Sequence, residues 1–215
     1  LGLFSLTKRS TYRSALAFLT HPTRLRDAYV IVASGLFDEA HYRHGYPDLA
    51  ASRLTPLAHF VLKGAYEGRN PHPLFDTAYY RRCNPDVAEA GVNPLVHYRL
   101  LGALEGRNPH PLFDVAYYLS TNPDVRSAGV DPLSHFLTSG ASEGRNPNPF
   151  FDCSYYLHLY PDVAGSQINP LLQFQSDGWR EGRRPSPAFD PAYYLSEYAD
   201  VRLEGGNPLV HYLEF

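Results

Sequence analysis

Methionine is absent from the 215 residues, tryptophan occurs once and cysteine twice. Two thiols make no disulfide framework, and Cys83 and Cys153 hold different places in the repeating pattern described below, so both are expected to be free. Long hydrophobic runs are also missing. The longest, AYVIVASGLF at 28–37, falls short of the ~20 apolar residues a helix needs to span a bilayer. Charge is nearly balanced at −3, which gives no ground for binding nucleic acid. The chain has no Gly-rich phosphate loop, nucleophile elbow, zinc-ligand spacing or calcium loop. The expectation is therefore a segment with no catalytic residue, cofactor or metal. It opens on Leu1 without a visible signal peptide, and we expect it to be part of a longer protein whose targeting information lies elsewhere.

What is present is punctuation. The 19 prolines and 16 glycines fall at regular places rather than in low-complexity tracts. EGRNPHPLFD at 67–76 returns letter for letter at 105–114, and EGRNPNPFFD follows at 143–152. Aligned on the Phe-Asp pair, copies start at Phe37, Phe75, Phe113, Phe151 and Phe189, every interval being 38 residues and the last copy partial.

Each copy reads as three short helices. Asp38, Asp76, Asp114, Asp152 and Asp190 are N-caps of the first helix, and Phe37/Tyr42 with its equivalents has hydrophobic-staple spacing. Asn-Pro-Asp-Val at 84–87 and 122–125 predicts an Asn-capped second helix with Pro at its first position. Thr55, Asn93, Asp131, Asn169 and Asn207, each before Pro-Leu, start the third. That helix is expected to run through a stripe such as Leu95, Tyr98 and Leu101 to a left-handed Gly in Glu-Gly-Arg, where Pro-x-Pro stops it. The decapeptide is then a stop, a stiff extended connector and a start. Units this small bury an aromatic face only by stacking, so the predicted fold is an all-α, right-handed α-solenoid of five three-helix repeats (37–215) with an N-terminal helical cap (1–36).

The cap is expected as helices near 10–20 and 23–34. Lys8, Arg9, Arg13, Arg24 and Arg26 there oppose only Asp27. An alternative reading is a basic docking segment for a membrane surface or an acidic partner.

Periodic rows supply the candidate sites. His59, His97, His135 and His211, with Gln173 in copy four, invite a metal. Equivalent residues of stacked helices stand on the order of 10 Å apart, however, so packed imidazoles bonded to a carbonyl or an Asp are expected. Tyr79, Tyr117, Tyr155 and Tyr193, each first in a Tyr-Tyr pair, could stack on sugar rings if exposed, or pack between units. Arg69, Arg107, Arg145 and Arg183 could line up for an anionic polymer. Each has a Glu two residues earlier and an Asp seven residues later, which points instead to an internal ion-pair and capping network. The Asp row of Pro-Asp-Val (Asp48, Asp86, Asp124, Asp162, with Asp200 in copy five) fits favourable helix-dipole placement.

The pattern FDxxYY…NPDVxxAGVNPLxHY…GxxEGRNPHPLFD resembles a bacterial repeat found beside catalytic domains in large glycosyltransferase and rhamnan-synthesis-type polysaccharide proteins. The likeness covers 37–215 and is weaker in copies four and five. It implies a non-catalytic interaction or scaffold module in the bacterial cytoplasm or at the inner face of the envelope. Its partner would be another protein or an adjacent catalytic domain. Direct glycan binding by the Tyr and Arg rows is the alternative.

Overall fold

The computed structural model describes residues 22–215. The expected helix at 10–20 and the cations Lys8, Arg9 and Arg13 lie outside the described residues. Every regular element among these residues is helical, and the chain divides into two compact units, Leu1–Leu101 and Gly102–Phe215.

In the first unit, α1 (Pro22–Ser34) buries Ala28 and Ile31, leaves Leu25, Tyr29 and Val32 exposed, and packs on α6 and the π-helical turn 60–64 introduced below. Copy one follows with α2 (Glu39–Gly45), a 3-10 turn (Pro47–Ala51) and α3 (Pro56–His59). Copy two contributes α4 (Thr77–Cys83), α5 (Pro85–Glu89) and α6 (Pro94–His97). The second unit holds α7 (Val115–Thr121), α8 (Pro123–Ala128) and α9 (Pro132–His135), then α10 (Cys153–Leu159), α11 (Pro161–Ser166) and α12 (Pro170–Gln173). Copy five supplies α13 (Pro191–Glu197), α14 (Ala199–Glu204) and α15 (Pro208–Glu214).

The first helices start as expected. Asp38, Asp76, Asp114, Asp152 and Asp190 each accept a hydrogen bond from the backbone N–H three residues on. The staple pairs bring ring centroids to between 5.2 Å (Phe113–Tyr118) and 5.5 Å (Phe75–Tyr80), and Tyr42, Tyr80, Tyr118 and Tyr156 are fully buried. Such aromatic pairs add about 0.5–1.5 kcal/mol each beyond the area they bury.

The second helices differ from expectation. Asn84 and Asn122 make no side-chain cap; each donates its amide N–H back to the carbonyl of Tyr80 or Tyr118. At φ near −129° the residue joins two helices, so its side chain meets a C-terminal carbonyl before any N-terminal N–H. In copies one and four a tyrosine stands there, its ring tilted against that of the staple tyrosine (Tyr42–Tyr46 4.9 Å, Tyr156–Tyr160 4.7 Å).

The third helices are capped by Thr55, Asn93, Asp131, Asn169 and Asn207 as read. In the first four copies the α-helical turn then widens into a π-helical one, at Phe60–Gly64, Tyr98–Gly102, Phe136–Gly140 and Phe174–Gly178. Bonds spanning five residues, such as Ala141 N to Phe136 O (3.0 Å) and Arg145 N to Gly140 O (2.9 Å), mark it. The expected α-helical stripe fails for this reason: Leu95 and Tyr98 are buried, but the wider turn carries Leu101 outward to 52% exposure.

Gly68, Gly106, Gly144 and Gly182 adopt φ of +71° to +78°, the left-handed stop expected of Glu-Gly-Arg. The connector beyond is not simply extended. It folds through a tight turn in which Phe75 N–H reaches His72 O (3.0 Å) and Leu74 N–H reaches His72 Nδ1 (3.1 Å), repeated at 110–113. The end of each such copy then lies beside its beginning. Asp38 N–H donates to Pro71 O in the first unit, and Asp114 and Asp152 donate to Pro147 and Pro185 in the second. Within the second unit, Asn148 Nδ2 also bonds Leu112 O, and Gln175 links His110 to Asn207. These bonds turn the repeat into stacking.

Candidate interaction surface

The arginines of Glu-Gly-Arg are each held by carboxylates of the repeat. Arg69 forms a two-pronged pair with Asp48 (2.9 and 2.8 Å) while its Nε meets Glu67 (2.7 Å). Arg183 does the same with Asp162 and Glu181, and Arg145 binds Asp124, Glu143 and the Asn122 amide oxygen. Arg107 pairs with Glu105 at 2.6 Å. These four side chains are only 17–25% exposed. Hydrogen bonds from the guanidinium hold Asp48, Asp124 and Asp162 below the ordinary carboxylate range.

The Asp partner is therefore the Asp that follows Pro 21 positions earlier, in Pro-Asp-Leu for Asp48 and Pro-Asp-Val for Asp124 and Asp162, not the Asp seven positions later. Asp76, Asp114 and Asp152 are committed to capping, and the Asn after each Arg serves the next helix: Asn70, Asn108 and Asn146 accept from Thr77, Val115 and Cys153 N–H. Where Arg184 replaces that Asn, it pairs with Asp190 instead.

The histidine row is internal. Nδ1 of His59, His97, His135 and His211 lies 2.8–3.0 Å from the hydroxyl of Tyr42, Tyr80, Tyr118 and Tyr194, and Gln173 Oε1 accepts from Tyr156 at 2.5 Å. The expected carbonyl or Asp partner is thus a tyrosine 17 residues earlier. Burial raises the pKa of Tyr42, Tyr118 and Tyr156, and burial together with the nearby Arg69 lowers that of His59. Both shifts suit a phenol donating into a neutral ring. No cluster of three metal-ligating side chains exists among the described residues.

Each hydroxyl also explains a glycine that sequence reasoning missed. A Cβ at Gly64, Gly140 or Gly178 would collide with Tyr42, Tyr118 or Tyr156 Oη. The signal was available: a Gly at 64, 102, 140 and 178, always five residues after the His or Gln.

The first tyrosines of the pairs do not form an exposed row. Tyr79, Tyr117 and Tyr155 are half-buried, Tyr79 lies under Arg82 (5.6 Å), and Tyr193 is 66% exposed. Val92 in the first unit and Val130 and Ile168 in the second are exposed just ahead of the third-helix caps, and Leu104 and Leu203 are more exposed still. In the second unit Ile168 borders an open groove of about 400 Å³ between copies three and four, with Leu137, Ala141, Leu157, Val163 and Pro170 among its lining.

Cys83 is exposed and Cys153 buried, both free. No described helix is long and apolar enough to cross a membrane. No family model matches the chain, and neither the curated proteins nor the solved structures yield a match.

Proposed function

We propose that this chain is a non-catalytic helical-repeat module that holds a protein partner or an adjacent catalytic domain, in bacterial glycosyltransferase or surface-polysaccharide assembly. The observation that carries the interaction reading is the Ile168 groove, an open surface between two copies lined by apolar side chains together with Thr138, Ser142, Gln167 and Asn169, where the Arg and His rows are already engaged internally. A concave groove that combines apolar side chains with a few polar groups is the default place for a bound partner. The polysaccharide context rests on the resemblance of the repeat alone.

The alternative, glycan binding by Tyr79, Tyr117, Tyr155 and Tyr193 with Arg69, Arg107, Arg145 and Arg183, is less favoured. Three of those tyrosines are half-buried and the arginines already hold two carboxylates each in copies one, three and four. A photo-crosslinking residue at position 168, compared with one at exposed Leu203, tests the proposal. A partner captured from 168 but not 203, and competed by excess unlabelled chain, supports it. Equal labelling from both positions, or saturable binding of an acidic or rhamnose-rich glycan with no captured protein, refutes it.

A further inference from the structure

The Ile168 groove lies where copies three and four meet, and the junction of copies four and five in the same unit shows what completes such a place. Residues 38 apart correspond. Ala141 in the groove wall corresponds to Trp179, the one tryptophan of the chain, and Leu137 corresponds to Gln175. Trp179 is half-buried, its indole N–H donates to the Gln175 main-chain oxygen (3.2 Å), and Arg180 covers its ring at 4.3 Å. The Gln175 side chain reaches copy five, where its Oε1 accepts from Asn207 Nδ2 (2.9 Å). That junction therefore has both an indole and an amide acceptor.

Copy three supplies neither. Ala141 offers a methyl group at the indole's position, and the Leu137 side chain cannot accept a hydrogen bond. Asn169, the counterpart of Asn207, turns its Oδ1 to the N–H groups of Leu171 and Leu172, and its Nδ2 is buried with no hydrogen-bond partner. A buried amide N–H left unmade is costly. Asn93 Nδ2 shares that lack, but its side chain is only 1% exposed and closed to any ligand. Asn169 is half-buried and borders an opening of about 400 Å³, within the ~300–1,000 Å³ range of ligand sites.

We propose that this groove takes a tryptophan side chain of a protein partner. The ring would lie on Ala141, as Trp179 fills the corresponding position of the next junction. The same residue's backbone carbonyl would accept from Asn169 Nδ2, as Gln175 does for Asn207, with half-buried Leu137 turning aside to admit it. The proposal rests on the groove being the partner-holding surface described above, and it names the chemistry that surface selects.

The test uses the whole chain. Ile168 is one of two isoleucines, the other being Ile31, fully buried in the first unit. Isoleucine-methyl labelling for nuclear magnetic resonance therefore gives one signal at the groove and one reference. N-acetyl-tryptophanamide should shift Ile168 saturably, with an approximately millimolar Kd, and leave Ile31 in place. N-acetyl-leucinamide should bind about tenfold more weakly for its smaller apolar area. The ring alone, as 3-methylindole, should bind about fivefold more weakly for want of the carbonyl. Ala141→Trp should abolish binding of the tryptophan probe and shift Ile168 by ring current without any ligand. Leu137→Gln gives Asn169 its acceptor and should erase the difference between the tryptophan probe and 3-methylindole; it decides the matter if Ala141→Trp fails to fold. No saturable Ile168 shift, equal binding of the leucine probe, or binding untouched by both variants overturns the proposal. A silent Ile168 while position 168 still captures a partner defeats this inference and leaves the partner-holding reading standing. Probe binding with equal capture at 168 and 203 defeats that reading, and with it the protein source of the indole.

Discussion

Replacing Gly140 by Ala adds one methyl group at the point where three parts of a copy meet. The new Cβ would collide with Tyr118 Oη and come within 3.3 Å of Tyr118 Cζ and 3.2 Å of His135 Nδ1. Tyr118 is fully buried and its hydroxyl is tied to His135 at 2.8 Å, so the ring has little freedom to withdraw. Overpacking of this kind costs about 1–3 kcal/mol. Breaking the Tyr118–His135 bond adds about 1 kcal/mol. Alanine's better helical propensity returns about 0.5–1 kcal/mol. The net expectation is a loss of about 2 kcal/mol. Tyr118→Phe alone should cost about 1 kcal/mol, because it strands the imidazole. In the double variant the obstructing oxygen is gone, and the remaining 3.2–3.3 Å approaches need shifts of only a few tenths of an ångström. Gly140→Ala should therefore be nearly neutral in the Tyr118→Phe background, a coupling of about 2 kcal/mol in the cycle. Urea unfolding followed by far-ultraviolet circular dichroism measures all four proteins. Additive losses, agreeing within about 0.5 kcal/mol, would refute the claim that the glycine exists for the hydroxyl.

Gln167 sits at φ +58°, at the position of Gly91, Gly129 and Gly205, so Gln167→Gly should stabilise by about 0.5–1 kcal/mol in the same urea experiment. An Ellman titration should find one reactive thiol in the native chain, Cys83, and two in denaturant, because Cys153 is buried at the start of α10 and its thiol pKa is pushed up by burial. His59 has its pKa lowered from 6.5, chiefly by burial and then by Arg69. The unfolded chain therefore takes up that proton first, and stability present above pH ~6.5 is lost as pH falls toward the folded pKa. Burial lowers His41 too and adds to the same slope. His59→Gln, the solution copy four already uses, should flatten the His59 share of that slope while keeping the hydroxyl partnered; an unchanged slope would count against the assignment. A second acid loss below pH ~4 should follow from Asp48, Asp124 and Asp162, whose pKa values lie below 3.8 through their arginine hydrogen bonds.

The parts of this fold legible in sequence are those governed by a few neighbouring residues. Asp38 and its equivalents cap because a short carboxylate finds free N–H groups two or three residues on, and Gly68 turns left-handed because nothing else does so cheaply. What stayed hidden depends on groups that no local rule relates. Arg69 has a carboxylate seven residues ahead and another 21 behind; spacing alone favours the nearer, yet Asp76 is taken by its helix and Asp48 is not. Similarly, Tyr42 and His59 are each periodic, but only the fold shows that one bonds the other and that both require Gly64. The π-helical turn escaped for the same reason. Nothing in FVLKG or FLTSG forbids an α-helix, and the wider turn appears where a five-residue register brings that glycine to the tyrosine. The periodic sequence thus contained the answer in unresolved form. Tyr, His or Gln, and Gly recur at fixed offsets of 17 and 5 residues, and a repeat that keeps three polar or tiny residues in step amid aromatic neighbours is specifying a buried hydrogen bond rather than a site.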